Sequence, residues 1–324
     1  MKRFFQWVWP AAVALFLLSC VKKKEQTQIE IEYPYRVVAT VGMIADLARE
    51  IGGEHVAVTT LIGSGIDPHS YRPTKADIDT ISTAQVVFYN GHHLEGKMSE
   101  VLQSAKTEWK PVIAVAEKLE NYEIIGGSAE PDPHVWMDPM AWNQAAKVIA
   151  TSLAAFDPDH ADGYHHRANL LSSRLTTLDG YARTSLQTIP AEQRVLVTAH
   201  DAFSYLGRAF DLEVRGVQGI STESEAGLQE INALVDFLVE KKIPAVFVES
   251  SVSPKSVQAL QEGARARGWD VKVGGELFSD AMGPKNTYEG TYEGMIDHNI
   301  TTITRALGGQ APERGLNNKL GPEE

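Results

Sequence analysis

The chain has 324 residues, 43% hydrophobic, with a single cysteine and a formal net charge of −12. This apolar share excludes a disordered chain, and one compact core rarely grows past about 250–300 residues, so two domains are expected. One cysteine excludes an intramolecular disulfide, a CxxC redox motif and a cysteine-rich zinc site, and the acidic balance argues against a nucleic-acid partner, which needs clustered Lys and Arg.

The chain opens with Met1-Lys2-Arg3, followed by an apolar stretch over residues 4–18 broken only by Gln6 and Pro10. That is shorter than the ~20 residues of a membrane-spanning helix and has the layout of a secretory signal. It ends Leu17-Leu18-Ser19-Cys20. This resembles the bacterial lipobox, in which the cysteine is lipidated and becomes the new N-terminus; Leu18 departs from the small residue usual there. Residues 1–19 are therefore expected to be a signal peptide. Residues 20–34 are expected to be a polar tether anchored to a membrane through Cys20. The folded part is expected in the periplasm or at the cell surface.

From Tyr35 strands and helices alternate. Strands are predicted at residues 35–40, 56–62, 86–89 and 111–115. Helices are predicted over 43–51, stopped by Gly52-Gly53, and from Pro73-Thr74 onward. Near-continuous apolar strands separated by helices imply a mostly parallel sheet covered on both faces. Asp157-Pro158 then places an N-cap before a proline at the first helical position. Apolar residues recur in steps of three and four from Ala161 through Leu171, Leu175 and Leu178 to Ile189, so one long amphipathic helix is expected, stopped by Pro190. About 30 residues would span roughly 45 Å. Gly163, Gly180 and the lack of consistent flanking charge disfavour a coiled coil and favour a strut between two lobes. After Pro190 the alternation resumes, with strands at 195–198, 212–215, 245–248 and 271–273 and helices at 202–210, 228–240, 257–264 and 292–307. The expected fold class is α/β: two lobes, each a mostly parallel β-sheet covered by helices, joined by one long rigid α-helix. The partition is an N-terminal lobe at 35–156, a bridging helix at 157–189, a C-terminal lobe at 190–308 and a polar tail at 309–324 expected to fray.

Four points carry histidine or aspartate where a strand gives way to a loop: Asp67-Pro68-His69, Asp132-Pro133-His134, Ala199-His200-Asp201 and Phe278-Ser279-Asp280. Ligands of open α/β sheets bind outside the carboxyl ends of strands. Two of the four lie in each lobe, so they can converge on the cleft between lobes. Three imidazoles and one carboxylate make a four-coordinate site for a divalent transition metal. The spacing matches no metal motif; the repeated Asp-Pro-His turn is what singles these residues out.

The segments DPHSYRPTKAD (67–77), DPHVWMDP (132–139), TAHDAFSYL (198–206) and FVESSVSPKSV (247–257) resemble those of the TroA-like zinc- and manganese-binding receptors of bacterial ABC transporters. The resemblance covers residues 35–308. It implies one metal ion held between the lobes by His69, His134, His200 and Asp280, delivered to a permease in the cytoplasmic membrane by a monomeric receptor that is not an enzyme. The third ligand of that family is histidine in typical zinc receptors and glutamate in manganese receptors; here it is His200. Nitrogen-rich sites and the Irving–Williams order favour Zn²⁺. A bidentate Asp280 and the lack of a long histidine-rich loop before His134 keep Mn²⁺ open.

Further residues have weaker claims. Glu249 ends a strand and is placed to orient a ligand histidine. His92 and His93 with Glu95 are read as a solvated loop or an auxiliary metal site. Trp136 and Tyr71 flank ligand histidines and either exclude water or pack in the core. His165 and His166 are read as surface residues, and His55, His160 and His298 as having no convergent context. Residues 216–227, with Ser221, Thr222 and Glu223, read as a surface loop. Release of the metal is expected to begin at Asp280, as a carboxylate on a loop. Two other functions fit the residues: a metal-dependent hydrolase using the same site with Glu249 as base, though no HExxH motif is present, and a metal-free surface adhesin.

Overall fold

The computed structural model describes residues 31–321. The predicted signal peptide and Cys20 lie outside the described residues. Among the described residues, no helix is long and apolar enough to cross a membrane.

The N-terminal half is built from β1 (Tyr35–Ala39), α1 (Gly42–Gly52), β2 (Val56–Thr60), α2 (Lys75–Thr83), β3 (Val86–Tyr89), α3 (Ser99–Ala105) and β4 (Val112–Ala114). The four strands form one parallel sheet in the order β2-β1-β3-β4, with Val37 opposite both Val58 and Val86. Val37, Val38, Val86 and Val87 are buried, as a parallel sheet covered on both faces requires. The α2 start is set by a capping box: Thr74 Oγ1 accepts the Asp77 N–H while Asp77 accepts the Thr74 N–H.

Two long helices follow, α4 (Pro139–Phe156) and α5 (Ala161–Leu186). The second is the expected strut, preceded by a single 3-10 turn at Pro158–His160. Its 26 residues span about 39 Å at 1.5 Å each. Toward one end Arg167 donates to the carbonyls of Ile51 (2.6 Å) and Gly52 (3.1 Å). Toward the other, Arg183 donates to the Ala209 carbonyl and Tyr181 bonds Thr301. The helix α4 is absent from the sequence-based reading, as is α3. Yet Asp138-Pro139 starts α4 just as Asp157-Pro158 precedes α5: Asp138 Oδ1 accepts the N–H groups of Met140 and Ala141.

The C-terminal half comprises β5 (Val195–His200), α6 (Ser204–Phe210), β6 (Glu213–Gln218), α7 (Leu228–Lys241), β7 (Ala245–Glu249), α8 (Lys255–Ala266), β8 (Lys272–Leu277) and α9 (Tyr292–Ala306). The strands pair as two parallel ladders, β5–β6 and β7–β8, with β5 lying beside β7. Val197, Leu238, Val246, Leu260 and Val271 share one core. His200 at the end of β5 bonds Glu249 at the end of β7, and β7 runs parallel to β8, so the ends of the three strands lie together.

The tail expected to fray is instead tied down as far as it is described. Gln310 donates its N–H to Thr188 Oγ1 (2.7 Å), Leu316 donates its N–H to Asp297 Oδ1 (2.8 Å), and Leu320 is buried. Its polar composition hides a short anchor of backbone donors and one leucine.

Candidate metal site

Each predicted ligand sits where a regular element ends. His69 lies in the loop after β2, where Asp67 Oδ1 accepts its backbone N–H at 2.8 Å. His134 opens the 3-10 turn Val135–Met137, and Asp132 Oδ1 accepts its N–H in the same way at 2.9 Å. The repeated Asp-Pro-His is thus a repeated turn in which the aspartate side chain fixes the backbone of the histidine. His200 is the last residue of β5. Asp280 follows β8 by three residues. Gly216 on β6 lets that strand pass close to the His200 corner: a Cβ there would lie 2.4 Å from the Asp201 amide nitrogen.

The four side chains meet. His69 Nε2 lies 3.3 Å from His134 Nε2 and 4.0 Å from Asp280 Oδ2. His134 Nε2 is 3.2 Å from Asp280 Oδ1, and His200 Nε2 is 3.2 Å from Asp280 Oδ2. One donor atom from each residue falls within 4.8 Å of all the others. His134 and His200 are fully buried, Asp280 is 1% exposed and His69 is 5% exposed. Both Asp280 oxygens and His200 Nε2 are buried without a hydrogen bond. Buried polar atoms left this way are costly unless a further partner completes them. Three nitrogens and a carboxylate facing one centre are a donor set for a divalent cation.

Charge in the cluster is unevenly shared. Burial pushes the Asp280 carboxyl up, but the facing His200 and His134 rings outweigh it and hold it well below the usual carboxylate range. Burial pushes His69 down to about 4 despite Asp280. Burial also works against charge on His134 and His200. Asp132 and Asp280 nonetheless raise His134 to about 9, and Glu249 and Asp280 raise His200 well above the ordinary imidazole value.

The surroundings orient the rings. Glu249 accepts the His200 backbone N–H through Oε1 and faces Nδ1 through Oε2, the position read for it from sequence. Asp132 faces His134 Nδ1 at 2.7 Å, a ring contact the turn motif alone did not reveal. Each contact leaves Nε2 of its histidine turned to the centre. Trp136 is buried, its ring edge-on to His134, and its Nε1 donates to the Ser279 carbonyl at 2.9 Å, bracing the Asp280 loop from the other half. Tyr71 points elsewhere, donating to Asp77.

Other histidines stay outside. Glu95 is buried and accepts from Thr40 Oγ1 and the N–H groups of Asn90 and Gly91, so it shapes its loop and does not join His92 and His93. His165 and His166 are exposed on α5. His298 bonds the Glu276 carbonyl. His55 and His160, read from sequence as isolated, stack on each other at 3.8 Å with Tyr33 edge-on to both.

The chain resembles known proteins over most of its length. The family described as zinc-uptake complex component A, periplasmic, matches residues 37–306. The chain is 48% identical over 274 residues to the manganese-binding lipoprotein MntA of Bacillus subtilis, covering 84% of this chain and 89% of that one. It is 44% identical over 272 residues to the zinc-binding protein TroA of Treponema pallidum, covering 84% and 88%. The solved structure of that periplasmic zinc-binding protein superposes with a TM-score of 0.82 over 84% of this chain and 99% of the other. The Fe(III)-bound YtgA of Chlamydia trachomatis, 27% identical, superposes at 0.78 over 85% and 99%.

Proposed function

The chain belongs to the family of periplasmic zinc-uptake component A proteins, and on that footing we propose that His69, His134, His200 and Asp280 are the ligands of its cargo. The chain is a substrate-binding receptor of an ABC importer, and its cargo is a divalent transition metal. It is not an enzyme: the family is one of receptors. Glu249, the one base a hydrolase reading offered, is engaged by both N–H groups of His200.

The observation that carries the site is the convergence of four buried donor groups, two from each half, on a centre where both Asp280 oxygens and His200 Nε2 lack a hydrogen bond. A captured cation therefore bonds the two halves to each other. Zinc is the cargo the three imidazoles favour. Manganese is the second: both Asp280 oxygens turn toward the cluster, and a bidentate carboxylate would supply the fifth ligand that a harder cation prefers. The relatives at 48% and 44% identity are named for manganese and for zinc respectively. A monomeric receptor tethered to the membrane by a lipid on Cys20, with 35–156 and 190–308 as lobes around a bridging helix at 157–189, completes the reading.

Isothermal titration with zinc and with manganese tests it. One ion per wild-type chain is expected, with binding abolished or weakened at least a hundredfold in each of H69A, H134A, H200A and D280A. Unchanged affinity in the four variants would overturn the assignment. Elemental analysis of chain purified from its native membrane identifies the cargo.

A further inference from the structure

Residues 219–227, between β6 and α7, reach from the C-terminal half to the N-terminal half. The base of this segment is fixed to the strand end that presents His200: Gln218 pairs with His200, and Asp201 donates its N–H to the Gly219 carbonyl at 3.3 Å. Gln218 Nε2 also donates to the Ser224 carbonyl at 3.0 Å, folding the segment over its own base. The tip reaches the other half, where Thr222 Oγ1 donates to Asp67 Oδ2 at 2.6 Å and Glu223 pairs with Lys97 at 2.5 Å. The other oxygen of Asp67 accepts the His69 N–H. One segment is therefore bonded at its base to the corner of His200 and at its tip to the turn of His69.

The ligands themselves are unequally held. The Nδ1 atoms of His134 and His200 each face a buried carboxylate, whereas Asp67 touches only the His69 backbone. His69 is also the most exposed of the four. The two residues before Asp280 are braced: Trp136 holds the Ser279 carbonyl, Ser251 bonds the Ser279 hydroxyl, and Asn299 holds both the N–H and the C=O of Phe278. This packing favours His69, whose ring has no carboxylate at Nδ1, over Asp280 as the ligand that yields first.

We propose that residues 219–227 form a latch: the Thr222–Asp67 and Glu223–Lys97 contacts hold the His69 turn against the bound cation, and release begins when they part. The inference rests on the reading of the four residues as cation ligands. Both contacts are between side chains, Glu223 and Lys97 are exposed, and Thr222 is half-buried. Contacts of this kind break at small cost, unlike the backbone ladder at the base of the segment. A docking partner that offers a carboxylate to Lys97 or a cation to Glu223 opens the pair without touching the ligands.

The test is the rate at which zinc-loaded chain yields its metal to excess chromogenic chelator in stopped flow. T222V is expected to release zinc about fivefold faster, the loss of one hydrogen bond. K97E and E223K are each expected to release it roughly two- to fivefold faster, with K97E/E223K returning to within about twofold of wild type. Zinc stoichiometry of one and an unchanged Tm show that the variants are folded. Wild-type release rates in a T222V/E223K variant that still binds one zinc would overturn the latch alone. Failure of the wild-type chain to bind zinc or manganese would overturn the site assignment and the latch together.

Discussion

Glu249 grips His200 at two points, one oxygen taking the backbone N–H at 2.8 Å and the other facing Nδ1 at 2.6 Å. The carboxylate thereby sets both where the strand end stops and which way its ring faces. Replacing it by Gln keeps an acceptor but loses charge, and replacing it by Ala loses both. Zinc affinity is expected to fall about tenfold in E249Q and about a hundredfold in E249A. Titration calorimetry on variants of unchanged secondary structure checks this, and equal losses in the two would argue that Glu249 merely fills space.

Trp136 should matter to the site through a residue it does not touch chemically. Its indole N–H is the N-terminal half's hold on the Ser279 carbonyl, next to Asp280. W136F keeps an aromatic ring against His134 but drops that bond. About a tenfold loss of zinc affinity is expected, with His69, His134 and His200 unaltered. A crystal structure of W136F with an undisplaced Asp280 and full affinity would refute the bracing role.

Asp157 provides a pH-dependent stabilisation far from the ligands in sequence. It accepts from the hydroxyls of Tyr33 and Tyr164 and pairs with His160. Burial works to raise its pKa, but the Tyr164, Tyr33 and His160 hydrogen bonds outweigh that and lower it. A carboxyl depressed on folding stabilises fully above its unfolded pKa of about 3.9 and loses that contribution as pH falls through the lower folded value. D157N should cost roughly 1–3 kcal/mol at neutral pH. The Tm gap from wild type should hold from pH 7 to 5 and close below about pH 4, by scanning calorimetry; a gap that persists at pH 2.5 would rule the carboxylate out as its source.

Removing the chain after residue 309 should lower stability without abolishing metal binding. The cut deletes the bonds to Thr188 and Asp297 and the buried Leu320. A loss of about 2–3 kcal/mol follows from the leucine alone. Urea unfolding of the truncated chain, alongside zinc titration, separates the two effects.

The fold was legible where apolar runs are short and sharply bounded. Val195-Leu196-Val197 opens β5, which ends in His200, and the steps of three and four from Ala161 mark α5. The helix α4 was not read because alanines fill it: Ala141, Ala145, Ala146 and Ala150 share its buried side with Trp142 and Ile149. Small residues on that side weaken the periodic contrast with the polar side. Its Asp-Pro start was absorbed into the histidine motif beside it. His69 and His134 were legible because turn chemistry repeats, and His200 and Asp280 because each lies at or just past a strand end. The difference between Asp132, which reaches its histidine's ring, and Asp67, which does not, was hidden, since the two motifs are identical in sequence and only packing separates them. The Thr222–Asp67 bond joins residues 155 positions apart, a distance over which no local pattern speaks.

The helix α5 is bonded to both halves. It is a single unbroken helix gripped toward one end by Arg167 and toward the other by Arg183 and Tyr181. Such a helix curves gently but resists a sharp kink, which limits how far the angle between the halves can change. Dwell time is then decoupled from shape. Receptors with this frame and the same four donors can hold their cargo for quite different times through exchange of two or three surface side chains, leaving equilibrium selectivity between metals untouched.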